Sequence, residues 1–134
     1  MDIEAGSLPK KIIGIASQDD IYRVSWAIGE SLGIRLQKDE PLTARIKGQD
    51  CYFDLFYDVA ENDVVYRMAA NKANGKFLCS SYKNIDFFLI VSDSDFSPKP
   101  DALRTKLQQA EALLGVFLIE TCPTLRKAFK NYSF

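Results

Sequence analysis

Histidine is absent from this 134-residue chain, which removes the commonest general base, the commonest metal ligand and the usual partner of a serine or cysteine nucleophile. Histidine-dependent triads and dyads are excluded, while carboxylate, lysine, tyrosine and cysteine chemistry stays open. Glycine is scattered: Gly14, Gly29, Gly33, Gly48, Gly75 and Gly115 are isolated and match neither a Walker loop nor a dinucleotide fingerprint. Nucleotide binding has no support in the sequence, and no cofactor is expected.

An excess of either charge is missing as well. Lysine and arginine number 17 against 18 aspartates and glutamates, for a formal charge of −1. No net basic field draws the chain toward phosphate polymers, so nucleic acid is not an expected partner. No apolar run approaches the length of a membrane span. Residues 1–9 carry Asp2 and Glu4 and lack a basic segment followed by an apolar one. Cys51, Cys79 and Cys122 are few, odd in number and set among apolar neighbours, so they read as small core residues rather than disulfide or metal ligands. A soluble protein of the reducing cytoplasm, away from any membrane, is the expectation.

What is present is an ordinary globular composition, 47% apolar and 26% charged, enough for one core in a single domain. Residues 1–9 read as a mobile arm and residues 10–134 as one α+β domain. Lys11-Ile12-Ile13-Gly14-Ile15-Ala16 reads as a first strand, with Gly14 permitting close packing. Ser17 and Asp20 resemble a capping box for a helix carrying Ile21, Val24, Ile28 and Leu32 on one face, with Gly33 as its stop. Tyr22 and Trp26 add to that helix's apolar surface, most of which is expected against a sheet.

From residue 34 the pattern changes to short strands, near 34–37, 42–47, 51–58, 63–70, 76–80 and 85–91. Turns at 47–50, 60–63 and 73–76 make the sheet largely antiparallel, and Asn74-Gly75 is the strongest hairpin signal. A second helix opens after Ser97-Pro98-Lys99-Pro100 and presents Leu103, Leu107, Ala110 and Leu114 before Gly115 ends it. Val116-Phe117-Leu118-Ile119 is a last buried strand, followed by a short C-terminal helix or tail. The expected architecture is an antiparallel sheet of about six strands with two main helices on one face, in the order β-α-β(5-6)-α-β.

Chemistry-bearing clusters are weak. Asp93-x-Asp95 begins like a calcium loop, but its sixth position is Pro98 and its twelfth is Arg104, so the loop reads as an acidic turn and no metal site is expected. Asp54, Asp58, Glu61 and Asp63 surround one hairpin, where strand alternation places the aspartates on a solvated face. Arg126, Lys127 and Lys130, near Phe129 and Tyr132, read as a solvated helix face.

The most informative segment is Ile85-Asp86-Phe87-Phe88-Leu89-Ile90-Val91, a buried strand interrupted by one carboxylate. An ionised carboxylate there is costly if buried without partners. Asp86 therefore has three readings: at the solvated strand entrance, buried and paired with backbone or a cation such as Arg23, or lining a pocket with a shifted pKa. In the last reading Asp86, Arg23 and Tyr22 are the candidate ligand-binding residues, between the first helix and the sheet. No catalytic residue is assigned.

Ile85-Asp86-Phe87, together with Gly14-Ile15 and Ser17, Tyr22-Arg23 and Trp26, Leu32-Gly33, Tyr52-Phe53, Asn71-Lys72, Gly75 and the C-terminal phenylalanine, resembles the IPExxxVDY family of small bacterial proteins without an assigned activity. Ile85-Asp86-Phe87 aligns with the second half of the family motif, and Cys79-Ser80-Ser81 stands where the family has Ile-Pro-Glu. If the family's glutamate and aspartate formed a catalytic pair, this chain would lack half of it, so the resemblance implies a structural motif or an inactive relative. The expected function is a non-enzymatic protein-binding or scaffold module whose sheet face or edge strand meets a protein partner or a second copy. Tyr52, Phe53, Phe56, Tyr57 and Tyr66 supply aromatic area for contact or core. The alternative is a small-ligand protein or enzyme built on Asp86 and Arg23.

Overall fold

The computed structural model describes residues 10–60, 64–92 and 100–119, together with Lys127. The expected N-terminal arm, the Asp93-x-Asp95 turn, Glu61 and Asp63, and most of the C-terminal tail lie outside these residues. In chain order the elements are β1 (Lys10–Ala16), α1 (Ile21–Leu32), β2 (Gln37–Lys38), β3 (Leu42–Ile46), β4 (Gln49–Phe53), β5 (Leu55–Val59), β6 (Val65–Ala70), β7 (Lys72–Ala73), β8 (Lys76–Phe77), a 3₁₀ turn (Ser80–Tyr82), β9 (Phe87–Ser92), α2 (Pro100–Leu107) and β10 (Gly115–Ile119). The domain is α+β, as the sequence indicates.

Six strands form one antiparallel sheet in the order β10-β1-β9-β6-β5-β2. Both helices pack on one face. There Ile13 and Ile15 of β1, Phe56 of β5, Tyr66 and Met68 of β6, Leu89 and Val91 of β9 and Val116 of β10 meet Ile21, Val24 and Ile28 of α1 and Leu103 and Leu107 of α2. Each such side chain stabilises the fold by about 1.5–3 kcal/mol relative to exposure.

The opposite face has its own core. Leu55, Ala69, Phe88, Ile90 and Ile119 pack against Leu42, Ala44, Cys51 and Phe53 of the β3–β4 hairpin and against Leu78, Cys79 and Ile85. All six residues of β9 are consequently buried, which explains the unbroken apolar run in the sequence: successive side chains point to opposite faces, and both faces are covered. Gly14 belongs to this second face, where an added Cβ would lie 3.0 Å from Ile119 Cδ1 and 3.1 Å from Ile85 Cδ1. The glycine in β1 permits that close approach.

Several boundaries differ from the sequence reading. The aromatic segment 51–58 is not one strand: the chain leaves the β3–β4 hairpin at Asp54 and enters the main sheet at Leu55, so Phe53 serves the second core and Phe56 the first. Asp20 alone caps α1, its Oδ1 accepting the Arg23 N–H at 2.9 Å, because Ser17 is engaged elsewhere. Trp26 is 60% exposed and Tyr22 is also mostly exposed. The apolar stripe of α1 is narrower than its composition suggests, and these two rings lie off it. α2 stops at Leu107, so Ala110 and Leu114 are not part of it; residues 108–114 form turns that return the chain to the sheet edge. Lys47-Gly48 and Asn74-Gly75 both adopt positive φ, 51° and 80° and 50° and 79°, the tight-hairpin geometry that Asn-Gly signals.

The cysteines also need correction. Cys51 is free and buried, whereas Cys79 is buried and disulfide-bonded. Bonding depends on the approach of two Cα atoms in space, which the spacing of cysteines along the chain does not report.

Candidate functional site

Three places could carry function: the entrance of β9, the exposed surface of α1, and the outer edge of β10. At the first, Asp86 is exposed between the buried residues Ile85 and Phe87. Its Oδ2 accepts the Ser17 N–H at 2.9 Å, its N–H donates to the Ile15 carbonyl and its carbonyl accepts the Asn71 N–H. Ser17 in turn donates its hydroxyl to the Ala112 carbonyl and accepts the Asp19 N–H through the same oxygen. Asp86 therefore ties the end of β1 to the start of β9, and Ser17 ties the same point to the turn before β10.

Asn71 completes this junction. It is fully buried, and every polar group it owns is used. Nδ2 donates to the Tyr82 carbonyl at 2.9 Å and the Ile85 carbonyl at 2.8 Å, Oδ1 accepts the Cys79 N–H at 2.7 Å, and the main-chain carbonyl accepts the Leu78 N–H. A buried amide satisfied in this way fixes the irregular segment 78–86 against the sheet. The cluster is architectural: its donors and acceptors are spent on one another.

On α1, Tyr22 sets its ring edge-on to Phe56, with centroids 5.5 Å apart, and lines an open cleft of about 1470 Å³ between α1, residues 33–36, β5 and α2. Arg23 lies on the neighbouring surface. Its Nε is 3.9 Å from Asp19 Oδ2, its guanidinium sits 5.8 Å from the Trp26 ring centroid, and it borders a smaller hollow of about 160 Å³. Asp86 lines neither, and no hydrogen bond or ion pair joins it to Arg23 among the described residues. The three sequence candidates are not brought together.

The larger cleft exceeds the usual ~300–1,000 Å³ of a small-molecule site and gathers charges of both signs, Glu30, Arg35, Asp58 and Lys106. Asp58 is already engaged, accepting the Arg35 N–H through Oδ2 at 2.8 Å and the Val59 N–H through Oδ1. Of the sheet aromatics, Phe53, Phe56 and Tyr66 are buried, while Tyr52 and Tyr57 are exposed.

The outer edge of β10 differs from both. Among the described residues no strand lies beyond it. The direction of its backbone groups follows from its neighbours. Ile15 of β1 accepts the Asp86 N–H from the β9 side, and in an extended strand the N–H and C=O of one residue point the same way. Val116, directly opposite Ile15, therefore forms a non-hydrogen-bonded pair with it and turns its own N–H and C=O outward, as does Leu118 two residues on. Arg104 Nε of α2 donates to that outward Val116 carbonyl at 3.2 Å.

Side chains around this edge are apolar and open: Leu114 is 68%, Phe117 43% and Leu118 42% exposed. Residues 116–119 read in the sequence as a buried strand, whereas in the structure they form an edge with Phe117 and Leu118 exposed. Nothing in the sequence marks this edge, since chain order does not fix sheet order: β1, first in the chain, lies between β10 and β9. No described helix is long and apolar enough to cross a membrane. No family model matches the chain, and no curated protein or solved structure is similar enough to it to indicate a relative.

Proposed function

We propose that this chain is a non-enzymatic protein-binding module whose contact surface is the outer edge of β10. One observation carries the reading: a five-residue strand without a charged side chain leaves outward N–H and C=O groups at Val116 and Leu118, beside exposed Leu114, Phe117 and Leu118. Native edges are usually blunted by charge, proline, brevity or a covering element, and an open apolar edge is a template for a further strand. Backbone hydrogen bonds would supply affinity and the flanking apolar side chains specificity.

Membership of the IPExxxVDY family belongs to the same reading and rests on the residues named above. The structural use of Asp86, the acid retained from the motif, favours an architectural rather than catalytic motif.

The test is affinity capture from lysate with the wild-type chain and with Leu118→Pro. Proline is tolerated on an edge strand where its missing N–H faces outward, so the variant keeps the fold and loses one ladder donor. A bound protein retained by the wild type and lost with Leu118→Pro is the expected result. Retention indifferent to Leu118→Pro would place any binding elsewhere.

A further inference from the structure

The geometry points to a second copy of this chain as the strand that completes the edge, paired antiparallel to β10 about a two-fold axis at Phe117. This deepens the reading above and rests on it.

The register follows from which groups face outward. Two antiparallel copies of β10 can be centred on Val116, Phe117 or Leu118. Centring on Phe117 sets Val116 opposite Leu118 of the other copy and Leu118 opposite Val116, so both outward residues of each copy form hydrogen-bonded pairs. Four ladder bonds result. Centring on Val116 would bring Leu118 against position 114, whose N–H is already committed to the Ala16 carbonyl, so the two bonds that position would donate are lost. Centring on Leu118 would set Val116 against position 120, outside the described residues, so the Phe117 register is the one whose four bonds use only the outward groups of Val116 and Leu118.

Side chains fit the same axis. Phe117 becomes a non-hydrogen-bonded pair with its own copy, the pair type in which side chains approach most closely. Its half-exposed ring gains an aromatic partner. Leu118, on the helix-covered face, meets Val116 across the interface. Residues 114–119, Leu-Gly-Val-Phe-Leu-Ile, contain no charge that would repel an identical strand, and the whole chain carries a formal charge of only −1. Arg104 need not leave, because a carbonyl has two lone pairs, but its bond weakens Val116 as an acceptor and desolvating the guanidinium has a cost. Arg104 thus acts as a brake on pairing.

A residue facing itself across a two-fold gives a decisive test. The mass of the full chain is measured by sedimentation equilibrium from about 1 µM to about 1 mM, the range of weak to moderate association, for wild type, Phe117→Lys and Phe117→Glu. Wild type is expected to dimerise. Each charged variant is expected to weaken dimerisation by about a hundredfold, through like charges directly opposed and a lost aromatic pair. An equimolar mixture of the two variants is expected to regain the dimer mass.

A second measurement does not depend on the charged variants folding. In a Cys51→Ser background, Phe117→Cys is expected to cross-link under mild oxidation and Leu118→Cys is not, since position 118 faces position 116. A monomeric wild type, charged variants that still dimerise, a mixture that stays monomeric, or cross-linking at 118 rather than 117 would each overturn the assignment. A monomeric wild type that still loses a captured protein on Leu118→Pro removes the second copy and leaves the edge reading standing. Dimerisation unaffected by Leu118→Pro and by both charges removes both.

Discussion

The sheet ends in two strands that meet solvent differently. β2 contributes only Gln37 and Lys38, both exposed, and runs into Asp39 and Glu40. Its ladder closes inward when the Asp39 N–H donates to the Leu55 carbonyl, which leaves Lys38 as the one outward residue in a charged neighbourhood. β10 is five residues long, uncharged and apolar on both faces. A short charged edge discourages further pairing and a longer apolar one invites it. On the proposed reading, two edges of one sheet, in one chain of nearly neutral charge, are expected to act as an end and as a continuation.

The largest expected effect breaks the β10 side of this contrast. Leu118→Pro removes an outward donor from each copy and leaves the facing carbonyls unpaired, at about 1–3 kcal/mol per lost partner. Dimerisation measured by sedimentation should weaken by about a hundredfold, with little change in the monomer's unfolding midpoint. Gly14→Val should act next, by loosening the bed on which β10 lies. Its Cβ would press on Ile119 Cδ1 and Ile85 Cδ1 at 3.0 and 3.1 Å, and overpacking of this kind costs about 1–3 kcal/mol in urea unfolding.

Smaller changes sharpen the comparison. Arg104→Met removes the cation from the Val116 carbonyl, and sedimentation should show dimerisation tightened by about three- to tenfold, the worth of about one hydrogen bond. Lys38→Val makes β2 less polar without lengthening it. Unfolding free energy should move by no more than about 0.5 kcal/mol, and no new association should appear, because two residues offer too little ladder to hold a strand.

Much of the fold was legible in the sequence where one local signal decided the outcome. Asn74-Gly75 needs positive φ and obtains it, Asp20 caps α1, and the apolar run through Val91 is a strand buried on both faces. Legibility failed where two layers compete for one segment. Residues 51–58 alternate like a single strand, yet Asp54 is the point at which the chain changes sheets, and periodicity does not register a change of layer. Ala110 and Leu114 continue a helical stripe on paper, but α2 ends at Leu107 and Leu114 emerges exposed at the β10 edge.

The candidate site was less legible for the same reason. Asp86, Arg23 and Tyr22 stand out as residue types, and the structure spends the first on the Ser17 N–H and spreads the other two over the outside of α1. The edge consists of Val, Phe, Leu and Ile, which carry no chemical label. Its meaning comes from the direction of backbone groups, a property set by the register of β1 with both of its neighbours.

Amide hydrogen exchange resolved by residue tests the comparison most directly, at two protein concentrations about a hundredfold apart, set on either side of the dimerisation midpoint. The outward amides of Val116 and Leu118 should exchange freely in the dilute sample and become strongly protected in the concentrated one, while the outward amide of Lys38 stays equally fast in both. Unchanged exchange at Val116 and Leu118, or equal protection gained at Lys38, would contradict the account.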